Sequence, residues 1–541
     1  MSVQSAERSR KVWEGAFILT LAGLVTKVLS AGYRIPYQNI AGDIGFYIYQ
    51  QAYPIYGIVL VFSTYGFPVI ISKLLAEQLE EKNNESILKI IYLSFLTLSV
   101  IGFTLFGLLF WGAEGIANLM GDKQLVILLR VISFSFLLLP IISVLRGYFQ
   151  GQKYMVPTAV SQVSEQFVRV MTILFMSFIL LDNGYGAYEA GAGAIFGSIT
   201  GGFAAILVLF YFLLKKGKGV KKRVKNPSRI KSTDIIKTLL TQGLTICMSA
   251  LLLILFQLID SFTVYSLLLS EGVQEEAAKQ AKGIYDRGQP LIQLGTIVAT
   301  SLSLSIVPLI ASAKVKNDIP YIQKKVDLTV RLGVVVGLGA ATGLAFVLEP
   351  TNIMLFKNNL GTNVLIVLGF SILFTTLSQI ITAILQGLGN PYLPTISVLI
   401  GLFIKWALNL LFIPSFKTMG AAVSTVMAFA VITVLLFIIV RKKLPGALVR
   451  WGFIYKVMVA TVAMGASIYT YLFLLHFFFP TLSTSRTFAC FQALSSVVIG
   501  GVIYMFFIIR GNVFSKEELS LLPIGSKGAS LVSLLKGGRN V

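Results

Sequence analysis

Fourteen apolar stretches, each long enough to cross a bilayer as a helix, leave this chain few ways to fold. They lie at about 13–33, 44–72, 87–111, 124–145, 156–181, 189–214, 238–266, 288–312, 328–348, 362–386, 392–413, 419–440, 452–478 and 486–509. Too little polar sequence remains between them to cover so many apolar helices in water, since 56% of the 541 residues are hydrophobic. The expected fold is an all-α polytopic membrane protein with about fourteen transmembrane helices. The polar, basic Met1–Lys11 leads into a segment without a small-residue cleavage pattern, which reads as the first helix and not as a signal peptide.

Charge placement orients the chain. A formal charge of +22 first suggests nucleic acid, but its distribution follows the bilayer. With rim residues assigned to the adjoining loop, alternate loops and both tails hold 33 of the 45 Lys and Arg, the opposite loops hold eight, and four lie within spans. This is the positive-inside pattern with both termini cytoplasmic. No nucleic acid is expected as a partner. The densest run, ten cations between Lys215 and Lys237, reads as a topology signal that attracts anionic membrane lipids.

The sequence also repeats. Pro68-Val69-Ile70-Ile71-Ser72 is echoed 240 residues later by Pro308-Leu309-Ile310-Ala311-Ser312. Phe149-Gln150-Gly151, leading to Pro157-Thr158, is echoed by Leu385-Gln386-Gly387 leading to Pro394-Thr395. Spans six and twelve open with Gly-Ala and close on Lys215-Lys216 and Lys442-Lys443. Six helices per copy is an even number, so the repeat is parallel. The expected organisation is an N-lobe at 1–214, a basic cytoplasmic linker at 215–237, a C-lobe at 238–440, and two further helices with a cytoplasmic tail at 441–541. Two six-helix bundles suit alternating access.

Six cations lie inside or at the rims of spans: Lys27, Arg34, Arg130, Arg169, Arg287 and Lys405. A charge near the bilayer centre costs roughly 2.5–3.5 kcal/mol on insertion scales, so it persists where it is paired or faces water. Lys27 and Arg34 are two helical turns apart and share a face, with snorkelling to the interface as the alternative for Arg34. Glu165 and Arg169 stand at i, i+4 and can pair, or Arg169 can contact substrate. Asp260 can pair with Arg287, which follows Asp286. Lys405 has Asn409 one turn on and no acid in its own helix, so it pairs elsewhere or faces a cavity. In span two, Tyr49, Gln50 and Tyr53 offer stacking faces and hydrogen bonds suited to sugar rings, or form an interfacial aromatic belt. Pro54 and Pro68 are expected to bend that span. Diphosphate is the anion that best fits Arg and Lys together.

Cys247 and Cys490 provide no disulfide framework, His476 reads as an interfacial anchor, and no metal or cofactor is expected. No nucleophile–base pair or nucleotide motif appears, so the chain is not expected to be an enzyme.

Several of these segments resemble one family. Leu24-Val25-Thr26-Lys27-Val28-Leu29 with Arg34, Gly66-Phe67-Pro68 to Ser72-Lys73-Leu74, and Arg146-Gly147-Tyr148-Phe149-Gln150-Gly151 are similar to segments of the lipid II flippases and their relatives. So are Glu165-Gln166 with Arg169, and Tyr285-Asp286-Arg287. Those relatives include the stage V sporulation protein B group and the polysaccharide-biosynthesis membrane proteins, within the multidrug, oligosaccharidyl-lipid and polysaccharide exporter superfamily. The resemblance implies two lobes, a cationic central cavity and outward flipping of an undecaprenyl-diphosphate saccharide in a bacterial plasma membrane. It implies functional roles for Lys27, Arg34, Asp286 and Arg287, and cell-wall synthesis enzymes as partners. Two departures stand out: Lys27 replaces the family's usual arginine, and span two carries tyrosine and glutamine where lipid II flippases have arginine. A cation-coupled multidrug exporter, with Asp260 or Glu165 carrying the ion, is the alternative.

Overall fold

The structure is a computed structural model that describes residues 3–81, 83–216, 230–444, 451–479, 485–515 and 518. Among the described residues the regular secondary structure is helical throughout, with no strand. The middle of the basic Lys215–Lys237 run and most of the C-terminal tail lie outside the described residues.

Among the described residues, twelve continuous helical stretches are long and apolar enough to cross a membrane. Two of them are too long for one pass. Phe17–Leu79 has 63 residues and Tyr392–Lys443 has 52, about 95 and 78 Å at 1.5 Å per residue against a hydrocarbon core of about 30 Å. Each breaks at a residue in the left-handed region: Gly42 (φ 68°) in the first and Lys417 (φ 52°) in the second. Counting both halves restores the fourteen passes read from the sequence. Glycine carries no Cβ penalty at such a φ, so Gly42 is where the chain can turn between spans one and two.

Span two ends as its prolines direct. The helix Arg34–Val61 runs through Pro54. The backbone then widens into a π turn at Phe62–Gly66, just before Pro68 in the helix Phe67–Glu80. Proline lacks an N–H and clashes with the preceding turn, and the wider ladder accommodates both effects. Span seven is segmented in the same way, with a π turn at Leu239–Gly243 ahead of Leu252–Ser270.

Contacts divide the chain into two compact units. The first comprises Met1–Leu294 with Pro391–Ala428. In it the helix Val156–Asp182 packs along Ala187–Lys215 through the pair Gly197 and Gly201. A Cβ on Gly201 would lie 2.7 Å from the Glu165 carbonyl, and one on Gly197 would lie 2.9 Å from the Arg169 carbonyl. Small residues four apart let two helix backbones close in where lipid supplies no hydrophobic drive. The second unit comprises Gly295–Asn390 with Phe429–Val541. There Ile319–Phe356, capped by Asp318, packs on Ser371–Gly387, Trp451–Phe478 and Arg486–Arg510. Arg331, inside that helix, forms an ion pair with Glu518 (2.8 Å) and lies over the Phe453 and Phe514 rings.

The spans are apolar outside and polar inside. Phe103, Leu207, Phe403 and Val498 are mostly exposed, whereas Arg34, Arg146, Arg169, Arg287 and Lys405 are fully buried. This inversion suits a lipid-facing surface.

The Gly201 contact is testable. Gly201→Ala should lower the melting temperature of the purified protein, an overpacking cost of about 1–3 kcal/mol. Gly23→Ala, where a Cβ meets nothing within 4 Å, should be neutral or stabilising by up to about 1 kcal/mol. Equal responses would refute the close approach.

Candidate functional site

Tyr49, Tyr53 and Tyr56 are spaced four and three apart, so helix geometry puts them on one face of Arg34–Val61. Tyr33, just ahead of that helix, joins them through a 2.7 Å hydroxyl–hydroxyl bond to Tyr49. Two guanidinium groups lie against these rings. The Arg34 guanidinium carbon sits 4.2 Å from the centre of the Tyr53 ring. That of Arg169, from the neighbouring Val156–Asp182 helix, sits 4.6 Å from Tyr56, 5.3 Å from Tyr33 and 5.9 Å from Tyr53. Both arginines are 0% exposed, and none of their six side-chain nitrogens makes a hydrogen bond of good geometry, although the Tyr33 and Tyr53 hydroxyls lie close to Arg34 and the Tyr56 hydroxyl close to Arg169. Neither has an acidic partner among the described residues. The tyrosines are buried as well, which excludes a lipid-facing aromatic belt. Gln50 is buried beside them in sequence, with its Oε1 unbonded.

Glu165 does not neutralise Arg169, contrary to the i, i+4 expectation. Its Oε2 accepts from Arg146 Nη2 at 2.7 Å, and its Oε1 accepts from the Tyr56 hydroxyl at 3.2 Å. Arg146 also donates to Ser161 Oγ, Thr64 Oγ1 and the Ser63 carbonyl. Every arm of that guanidinium is therefore used, a far better set than a bare helix-face pair provides. Arg146, noted in the sequence only within a family-like segment, is missing from the six interior cations because span four was read as ending one residue before it, while the helix Ser135–Gly151 runs on.

The remaining cations regroup as well. Arg287 pairs with Asp43 and not with Asp260: Nη2 lies 2.7 Å from both carboxylate oxygens, and Nε lies 3.0 Å from Oδ1. Asp43 owes its place to the turn at Gly42, which sequence spacing could not reveal. Asp286 accepts two bonds from Lys282 Nζ, at 2.6 and 2.7 Å. Lys405 finds its acid on another helix, in Asp260 at 2.7 Å, one of the two outcomes expected for it. Arg130 is no interior cation: its side chain is 46% exposed and pairs with the still more exposed Glu114. Lys27 is half-buried. Of Lys27, Arg34 and Arg287, the cations to which the resemblance gives roles, Arg34 alone is both buried and without an acid among the described residues; Arg169 joins it.

With the described residues all-helical, multi-span and polar inside, the chain is a polytopic membrane protein. It is similar to a solved structure of lipid II flippase MurJ in an inward closed conformation, with a TM-score of 0.64 at 17% identity over 93% of this chain and 98% of that one. An inward-facing multidrug resistance MATE family transporter of the MOP superfamily gives 0.59 at 14% identity over 80% and 95%. The chain belongs to the polysaccharide biosynthesis protein family, whose pattern matches residues 12–314. Its relatives in Bacillus subtilis (strain 168) include the uncharacterized membrane protein YabM, 43% identical over 95% of this chain and 96% of that one. They also include lipid II flippase MurJ, 24% identical over 92% and 95%, and stage V sporulation protein B, 27% identical over 94% and 97%.

Two predictions follow from the pairing. Glu165→Gln leaves Arg146 buried with its charge uncompensated and should cost about 3–5 kcal/mol. Arg169→Gln, which breaks no ion pair, should melt no lower than wild type; a loss equal to that of Glu165→Gln would overturn the assignment. Burial, opposed by Lys282, pushes the Asp286 carboxyl up to about 6 from 3.8. A raised carboxyl stabilises the fold at low pH and withdraws that contribution as pH rises through the folded value. Between about pH 5 and pH 7.5 wild type should therefore lose more melting temperature than Asp286→Asn. Parallel slopes would contradict this.

Proposed function

We propose that the chain is a flippase that moves an undecaprenyl-diphosphate-linked saccharide from the inner to the outer leaflet of a bacterial plasma membrane, with both termini cytoplasmic. The carrying observation is the Arg34–Arg169 pair, two fully buried guanidinium groups with unused donors, held on tyrosine faces. Each guanidinium offers five N–H donors in a planar fork that matches phosphate oxygens. Removing a cation from water costs several kcal/mol, and stacking on rings returns about 0.5–2 kcal/mol per contact. A diphosphate supplies the missing countercharge and acceptors. Tyr49, Tyr53 and Gln50 give the adjoining sugar flat faces and an amide, while the lipid tail stays in the bilayer.

Relatives named as a lipid II flippase and a sporulation protein support a cell-envelope precursor as the cargo. In this reading the six-helix repeat supplies the two halves that alternate, Lys27 adds charge near Arg34, and Arg287 acts through Asp43. The chain moves its substrate without altering it. Anionic membrane lipids and cell-wall synthesis enzymes are its further partners. The multidrug alternative is less favoured because its candidate ion carriers are already engaged, Glu165 by Arg146 and Asp260 by Lys405.

Native mass spectrometry of the purified protein with undecaprenyl diphosphate and its monophosphate tests the reading. Wild type should prefer the diphosphate. Arg34→Ala and Arg169→Ala should each lose about 10- to 100-fold in affinity, the equivalent of one or two charge-assisted bonds. Arg130→Ala should bind as wild type does. Indifference to both interior substitutions, or preference for lipophilic cations, would overturn it.

A further inference from the structure

Lys405 Nζ sits in a cage of four oxygens. Asp260 Oδ1 and Thr425 Oγ1 lie at 2.7 Å, Asn409 Oδ1 at 3.0 Å and the Ala421 carbonyl at 3.1 Å. An ammonium has three N–H donors, so the cage presents one oxygen more than the lysine can serve singly. Each hydrogen of the surrounding groups is aimed elsewhere. Asn409 Nδ2 donates to Asp260 Oδ1 and Thr263 Oγ1, at 3.0 and 2.8 Å. Thr425 Oγ1 donates to the Ala421 carbonyl at 2.8 Å, and the Tyr285 hydroxyl donates to Asp260 Oδ2 at 2.8 Å. The centre therefore meets lone pairs and no hydrogens except the lysine's own. Asp260, Asn409, Thr425 and Lys405 are all 3% exposed or less.

One carboxylate, one amide oxygen, one hydroxyl and one backbone carbonyl form an all-oxygen donor set of the kind hard cations prefer. Its formal charge of −1 balances a single positive charge. An ion pair made only to cancel charge needs good geometry to one partner; this ammonium is surrounded on several sides by oxygens that are themselves held in place. We propose that this is a monovalent-cation site which the chain fills with its own side chain, Lys405 acting as a tethered cation. The site then holds its positive charge whatever the sodium or potassium concentration. Without the ammonium, the same oxygens would take an alkali-metal ion.

The test uses the full-length protein and reads stability, so it stands or falls apart from the identity of the lipid substrate. Melting temperatures are measured in lithium, sodium and potassium chloride, with N-methyl-D-glucamine chloride holding ionic strength constant. Wild type should melt at one temperature in all four salts. Lys405→Ala should melt lower in N-methyl-D-glucamine and recover, saturably, in at least one alkali-metal salt, as ligand linkage requires. Lys405→Ala with Asp260→Asn should lose that recovery. Lys405→Met, which keeps the bulk of the side chain, serves if the alanine variant does not fold, and the same recovery is expected of it. The proposal fails if wild type is itself stabilised by one alkali cation. It also fails if the folded variants ignore all three, or if neither variant can be recovered folded in any of these salts. A lysine serving only as an ion-pair partner would give the second result.

Discussion

Charge withdrawn from water organises the first compact unit. Arg146, Arg287 and Lys405 are fully buried, and each lies within 2.7 Å of a carboxylate oxygen from a different helix or turn. An ion that loses its hydration must recover it from fixed groups, and an imperfect set of partners leaves a deficit of several kcal/mol. Each pair therefore dictates where two distant stretches of chain can lie. Glu165 can reach Arg146 only if the Val156–Asp182 helix runs beside Ser135–Gly151, and Asp43 can reach Arg287 only if the chain turns at Gly42. The apolar surfaces slide easily in lipid; the polar contacts are what give these helices a register.

Against that background Arg34 and Arg169 stand out. They bear the same desolvation cost as the other three, yet their nitrogens make no hydrogen bond of good geometry and meet tyrosine hydroxyls in place of a carboxylate. Tyrosine faces return part of the loss, and the Tyr56 hydroxyl passes its own hydrogen bond to Glu165, which is already engaged. A fold that could satisfy three buried cations so fully has left two open in one place. Stability given up locally is common where a protein must bind, and the sign of what is missing is negative.

The limits of the sequence reading follow from the same physics. The spans were legible because bilayer thickness imposes a length on every apolar run, and the tyrosine face because helical spacing is regular. Lys405 was also readable in part: with no acid in its own helix, it had to look elsewhere. Pairing between helices was not legible. The i, i+4 rule pointed Arg169 at Glu165, but such a pair contributes only a few tenths of a kcal/mol on an isolated helix. It loses to a buried guanidinium with four partners, and nothing in the local sequence marks Arg146 as that competitor. Asp43 was invisible for a similar reason, because it lies beside a turn and its partner is 244 residues away. Arg130 failed in the other direction: its apolar neighbours suggested an interior, whereas Glu114, 16 residues upstream, keeps it at the surface.

Under the proposed function, open and closed cations have different uses within one unit. A guanidinium with free donors gains most from a ligand that arrives and leaves, since binding converts a desolvation deficit into hydrogen bonds. An ammonium enclosed by four oxygens gains nothing from a ligand and serves best as a constant. Under that proposed function, variable charge recognition at Arg34 and Arg169 and constant charge at Lys405 would separate cargo binding from the ionic composition of the medium.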